Sequence, residues 1–247
     1  MQGVVEKALQ KLNWQGKSLQ AAGRTDTGVH AAGQVVAFDL DWNHPTEELR
    51  QALNANLPMD VAVRSIQPVP ASFHARRDAR SRTYHYHLFF GEVRDPLRER
   101  YAWRVWPKAD LQLLKQAAKE LVGKHDFSPF GNPPRPGSGT VRKVFQADWL
   151  PGQSGQDDEW VFSVRAEAFL YHMVRRMVSL QVEIGQGKTS VEKLLWYLQP
   201  QSWKEEERPV YVQGLAPPNG LVLVEVGYPP EKMAAQQPGD RCERFAN

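Results

Sequence analysis

Apolar positions recur at helical spacing at the start of the chain, where Val4, Val5, Ala8, Leu9 and Leu12 share one face ahead of Gly16. The period changes to two over 34–40, with Val36 and Phe38 in register, which predicts a strand. A helix is expected from Pro45 to about Leu53: proline suits a first turn, and Glu47 and Glu48 complement the positive end of the helix dipole. Short strands are predicted over 61–66 and 83–90. Leu111, Leu114, Ala118 and Leu121 then form an amphipathic face that Asp110 caps and Gly123 closes. From Trp160 the alternate residues Phe162, Val164, Ala166 and Ala168 predict a half-buried strand. It feeds a helix with Met173, Met177, Leu180 and Ile184 at core spacing. Thr189 and Glu192 read as a capping box for a further helix lined by Val191, Leu194, Leu195 and Leu198. Residues 221–226 are almost entirely apolar, as in a strand buried on both faces.

Helices and strands interleave along the whole chain, so the class is α/β or α+β. Pro68 and Pro70 are the expected joint between an N-terminal half, 1–70, and a C-terminal half, 71–230. Residues 131–140 are expected to form a flexible loop, and 231–247 a disordered tail. The 247 residues suffice for two units that each bury a core. A mean hydropathy of −0.54 and the absence of a long apolar run argue against a membrane span. The helical start with Glu6, Lys7 and Lys11 is unlike a signal peptide, and the single cysteine, Cys242, allows no internal disulfide, so a cytoplasmic setting is expected. The net charge is only +3, but residues 64–82 carry five Arg against one Asp, a local +4.

Candidate chemistry gathers in a few places. Two glycines, Gly23 and Gly28, bracket Arg24, Thr25, Asp26 and Thr27, with His30 just beyond, in a loop between strand-like segments, a pattern that serves either a tight turn or the approach of a ligand. Arg76, Arg77, Arg80 and Arg82 run into Tyr84 and Tyr86, a combination suited to phosphates and a stacked base, although a single charge run is more often a solvated surface. His85 and His87 share the opposite strand face without further ligands that would complete a metal site. Arg175 falls off the methionine stripe of its helix, and becomes a functional candidate only if it meets Asp26. Gly187-Lys188-Thr189 imitates the end of a phosphate-binding loop, but Val182 stands where that motif requires glycine and a helix precedes it instead of a strand.

Taken together, Gly23-Arg24-Thr25-Asp26-Thr27-Gly28-Val29-His30-Ala31 followed by Gly33-Gln34-Val35-Val36 closely resembles the signature of the tRNA pseudouridine synthase A family. In the family's order come Leu53-Asn54-Ala55-Asn56-Leu57-Pro58, Phe73-His74-Ala75-Arg76, Tyr84-His85-Tyr86, Gly123-Lys124-His125-Asp126-Phe127, Phe169-Leu170-Tyr171-His172-Met173-Val174-Arg175 and Ala216-Pro217-Pro218-Asn219-Gly220-Leu221. The resemblance covers about residues 1–230. It implies an α+β fold, the pseudouridine synthase fold, with a central antiparallel sheet built from two similar α/β halves and flanking helices. It also implies an isomerase that converts uridine to pseudouridine at positions 38, 39 and 40 of the tRNA anticodon stem-loop, working as a homodimer without metal or organic cofactor. By this resemblance Asp26 is the catalytic aspartate, Arg175 its partner, and Tyr84 the tyrosine that packs on the target uracil. Arg24 fills the space left by the flipped base, while His30, Arg76, Arg80 and Arg82 are candidate substrate contacts. An arginine fork can grip a carboxylate at two points, which lysine cannot do.

Members of this family usually open with an additional strand and a Tyr-Asp-Gly…Gly-Trp-Gln segment. This chain begins within the first helix at Met1-Gln2-Gly3-Val4-Val5, so the first half is expected to hold one strand fewer. Two alternatives stand beside the active enzyme: a non-catalytic RNA-binding module using Arg76–Tyr86, and an inactive, N-terminally truncated synthase.

Overall fold

The apolar periods become regular elements largely where the sequence places them. The computed structural model describes residues 1–133, 137–152, 157–204, 206, 211–233 and 243–246. In chain order it holds α1 (Gln2–Gln10), β1 (Gln20–Ala21), β2 (His30–Ala31), β3 (Val36–Leu40), α2 (Thr46–Asn56), β4 (Gln67–Val69), β5 (Ser81–Phe90), β6 (Trp103–Val105), α3 (Leu111–Glu120), β7 (Gly123–Asp126), β8 (Val141–Pro151), β9 (Glu159–Ala166), α4 (Met173–Gly185), α5 (Val191–Tyr197), β10 (Leu221–Gly227), α6 (Pro230–Met233) and β11 (Glu243–Ala246). Asp110 caps α3 as expected, its carboxylate accepting from the N–H groups of Gln112 and Leu113. For α5 the cap is Ser190, one residue later than the capping-box reading, and its hydroxyl bonds Glu192. No helix among the described residues is long and apolar enough to cross a membrane.

The class is α+β, and the strands fall into two hydrogen-bonded sheets, one in each of two compact units. The first unit comprises Met1–Arg24, Gly33–Arg80 and Val226–Asn247. Its sheet has the order β1-β3-β11-β4, and α1 and α2 cover a core that includes Leu9, Phe38, Leu49, Leu53 and Phe245. The expected strand over 61–66 does not form. Asn54 instead satisfies the backbone of Val63 from both sides, donating from Nδ2 to its carbonyl at 2.9 Å and accepting its N–H at 2.7 Å. A side chain thus supplies what a neighbouring strand would. The strand lies further on, at β4, across the expected joint at Pro68. This proline is tolerated because β4 is an edge strand.

The last strand comes from a segment expected to be a loose tail. Residues 243–246 pair antiparallel with both β3 and β4, and Phe245 is fully buried between them. Residues 234–242, with Cys242, and residues 134–136 of the expected loop lie outside the described residues. The boundary between units also differs from the sequence expectation, because the first unit draws on both ends of the chain.

The second unit comprises Thr25–Ala32 and Ser81–Glu225. Its sheet runs β2-β10-β5-β9-β8-β7, with β6 added parallel on β5. Pairings among β5, β9, β8 and β7 are antiparallel, whereas β2 is parallel to β10, with His30 opposite Val222 and Ala31 opposite Leu223. This two-residue strand stitches the segment 25–32 onto a sheet built otherwise from residues beyond 80. The strand β9 is more deeply buried than its alternation implies: Val161 and Ser163 are buried as well as Phe162, Val164 and Ala166, because β5 and β8 flank it. Against the sheet pack α3 and α4, burying Leu114, Ala118, Met177 and Val178. A polar link inside this core is satisfied: Trp149 donates Nε1–H to Oε1 of Gln181 at 2.8 Å, and Gln181 donates to the Met177 carbonyl.

Two expected outcomes test this description. Phe245→Ala removes a fully buried ring and should lower unfolding free energy by about 3–5 kcal/mol in denaturant titration; an unchanged midpoint would show that β11 does not hold the first sheet together. Burial, with a smaller contribution from His87, pushes His85 below the ordinary histidine value. The unfolded chain therefore binds that proton more readily, and stability should be complete above about pH 6.5 and fall as pH drops from there through the lowered folded value. His85→Gln should shallow that slope, measured as unfolding free energy against pH.

Candidate active site

The candidate site is built inside the second unit, from the loop that β2 anchors and the first turn of α4. The loop turns at Asp26, where Val29 N–H donates to the Asp26 carbonyl at 3.1 Å. Gly28 permits the turn with φ +83°, and a Cβ there would meet the Pro218 ring at 3.0 Å. The loop is therefore pressed against residues 216–220 and tied by β2 to the strand that follows them.

The carboxylate of Asp26 faces α4. Its Oδ2 accepts from Nη1 of Arg175 at 2.9 Å and lies 3.3 Å from Nε2 of His172. Arg175 does not leave the core for solvent as its helical position suggests: it is 9% exposed. Its fork does not close on the carboxylate at two points either. Nε donates instead to the Ala216 carbonyl at 2.7 Å, while Ala216 N–H returns a bond to the Arg175 carbonyl at 3.3 Å. The guanidinium is thus held by backbone on one side and spends a single N–H on Asp26. Among the described residues, Oδ1 of Asp26 has no hydrogen-bond or ion-pair partner.

Tyr84 stands edge-on to Phe169, with ring centroids 5.1 Å apart at 88°. Burial pushes its phenol up to about 12, with the Arg82 charge opposing and the Asp26 charge reinforcing the shift. The hydroxyl is therefore a proton donor at neutral pH. Tyr86, on the same face, is fully buried and structural: its hydroxyl donates to the Pro217 carbonyl at 2.8 Å. That bond supports the backbone that holds Arg175.

The remaining sequence candidates are distributed unevenly. Arg82 belongs to the second unit, and its Nη1 donates to the Glu167 carbonyl at 2.9 Å. His30 lies in β2 with its ring 5.2 Å from that of Tyr101, and its Nε2 is enclosed without a hydrogen-bond partner. Arg24, Arg76 and Arg80 are exposed and belong to the first unit, so the arginine run expected to act as one patch divides after Arg80. Gly187 follows α4 with φ +69° and Lys188 N–H bonds back to Glu183, as in a helix stop rather than a phosphate loop.

Two contributions were missed by sequence reasoning. His172 was quoted only as part of a run, yet it sits beside Asp26; its place at a strand-to-helix junction three residues before Arg175 was the available signal. The Pro217-Pro218-Asn219-Gly220 turn proves to be a brace for Arg175 and the Asp26 loop. Asn219 locks it by donating to the carbonyls of Glu99 and Ala102, and a Cβ on Gly220 would strike the His87 carbonyl at 2.7 Å. Among the described residues no group of three His, Cys, Asp or Glu side chains is arranged to hold a metal ion.

Comparison with known proteins gives the family. The family profile described as tRNA pseudouridine synthase matches residues 1–78 and 117–229, which include Asp26, Arg175 and the 216–220 turn. The tRNA pseudouridine synthase A of Syntrophotalea carbinolica is 39% identical over 233 residues, covering 94% of this chain and 88% of the relative. That of Geobacter sp. is 35% identical over 93% of this chain and 89% of its own length. The protein of the same name from Bordetella petrii is 41% identical over 85% and 75% respectively. The family match extends over parts of both units, and the chain belongs to the tRNA pseudouridine synthase family.

Proposed function

We propose that this chain is a tRNA pseudouridine synthase that isomerises uridine at positions 38, 39 and 40 of the anticodon stem-loop, with Asp26 as the reacting carboxylate. The observation that carries this reading is the 2.9 Å contact between Asp26 and Arg175, which joins two family motifs 149 residues apart. The isomerisation breaks the bond from the sugar C1′ to N1 of uracil and makes one from C1′ to C5. The base must stay in place, rotate, take a proton at N1 and lose one from C5.

A carboxylate with one oxygen tied down and the other free suits a nucleophile or base that must meet the substrate in a fixed direction. Tyr84 offers an aromatic face for uracil and a hydroxyl that remains protonated at neutral pH, consistent with use in proton transfer. Extracting a stem nucleotide costs a few kcal/mol. In this reading Arg24 fills the vacated space, Arg76, Arg80 and Arg82 meet phosphates, and His30 contacts the substrate. The enzyme acts as a homodimer in the cytoplasm, where its tRNA substrate is found; sedimentation of the purified chain tests the first part.

Asp26→Asn keeps the shape of the side chain and removes its charge. Pseudouridine formation should fall at least about a thousandfold while tRNA affinity stays within about threefold, by product mapping and filter binding. Retained turnover would favour a different reacting group, and loss of binding alone would favour an RNA-binding module. Arg175→Lys cannot hold both Ala216 and Asp26, so kcat should drop about ten- to a hundredfold with little change in KM, the worth of one charge-assisted hydrogen bond. Steady-state kinetics on a folded variant provides the check.

A further inference from the structure

His172 is the side chain at the site that the reading above leaves unused. It is the residue before α4, and it adopts φ 66° and ψ 0°, a left-handed conformation uncommon for a residue with a Cβ. Such backbone is retained where surrounding structure over-determines it, and here that structure is visible. The ring of Tyr171 stacks on the His172 ring at 3.7 Å and 29°. The backbone of Tyr171 is pinned by a bridge to Asn132, whose carbonyl accepts Tyr171 N–H at 2.9 Å. Gly131 makes that approach possible, because a Cβ there would overlap the Tyr171 carbonyl oxygen. The result is an imidazole fixed in plane and azimuth, with Nε2 3.3 Å from Oδ2 of Asp26.

We propose that His172 is a positioning residue for Asp26: its Nε2–H faces Oδ2 at 3.3 Å, beside the hydrogen bond that Arg175 makes to the same oxygen, so that Oδ1 is the oxygen that reacts. This rests on the reading of Asp26 as the reacting carboxylate. A second N–H facing the same oxygen restricts the rotation that a single hydrogen bond leaves, and aims the other oxygen at the substrate. The groups facing the ring are Asp26, Arg175 and Arg176, with Tyr171 stacked on it. Burial, together with the two arginines and against the Asp26 charge, holds His172 below the ordinary histidine value. It is therefore uncharged at neutral pH, and as a neutral ring it can donate to Asp26 only in the Nε2–H tautomer.

The tautomer gives a test that is independent of turnover. In long-range 15N–1H spectra of the full chain at neutral pH, His172 should carry its proton on Nε2, and Asp26→Ala should weaken that preference. A proton on Nδ1 in the unmodified chain would overturn the proposal whether or not the protein modifies tRNA. Kinetics supply the second arm. Asn tolerates the left-handed backbone but is too short to reach Oδ2, whereas Gln reaches it with an N–H donor. With full-length tRNA, His172→Asn should lose about ten- to a hundredfold in kcat with KM within about threefold, and His172→Gln should recover most of that loss. If the wild type is active and Asp26→Asn is not, while His172→Asn matches wild type or His172→Gln is as impaired as His172→Asn, the positioning role fails and the functional reading stands. No product from a folded wild type counts against the functional reading, and the spectra then decide the placement of the proton alone.

Discussion

A carboxylate enclosed by protein is stable as an anion only where charge and hydrogen bonds replace the water it has lost, and the organisation of this site depends on that constraint. Asp26 is mostly shielded and meets a single guanidinium at 2.9 Å. Arg175 is itself buried and would be costly without partners, but it has two: the carboxylate and the Ala216 carbonyl. Each supplies the other with an opposite charge at hydrogen-bond distance. Their pairing explains why an arginine is kept on a helix that is otherwise buried through most of its length, among Met173, Val174, Met177 and Val178.

The pairing requires that two segments far apart in sequence arrive together, and the second unit's sheet arranges this. The parallel pairing of β2 with β10 brings the Asp26 loop beside the strand that follows the 216–220 turn. Tyr86 and Asn219 lock that turn from below, and the turn receives Nε of Arg175. These contacts are made by backbone or by buried and half-buried side chains, so the direction of the guanidinium is set by the fold and not by the substrate. The segment 25–32 is short and comes from the far end of the sequence, yet it belongs to the unit it completes. That is a topological reason for the glycines around Asp26: the loop must turn sharply and lie close to Pro218.

Much of this was legible in the sequence, for identifiable reasons. The long helices were visible because their apolar faces repeat, and the α3 cap because Asp110 precedes such a face. Asp26, Arg175 and Tyr84 were visible because they sit inside recognisable runs. What escaped reading was non-local. Asn54 replaces a strand partner for Val63, which no period reveals. The strand β11 is defined by the partners on either side of it and not by its own four residues. The burial of Arg175 depends on the Ala216 carbonyl, 41 residues away. His172 escaped because it reaches Asp26 from a left-handed backbone, and nothing in a histidine announces one.

If Asp26, Arg175 and Tyr84 rearrange a uridine in tRNA, incubation of the folded full-length chain with unmodified tRNA transcript, followed by site-by-site mapping of pseudouridine, reads out their action. Product is expected only at positions 38, 39 and 40 of the anticodon stem-loop. A folded chain that binds the transcript and leaves every uridine there unchanged would contradict this reading.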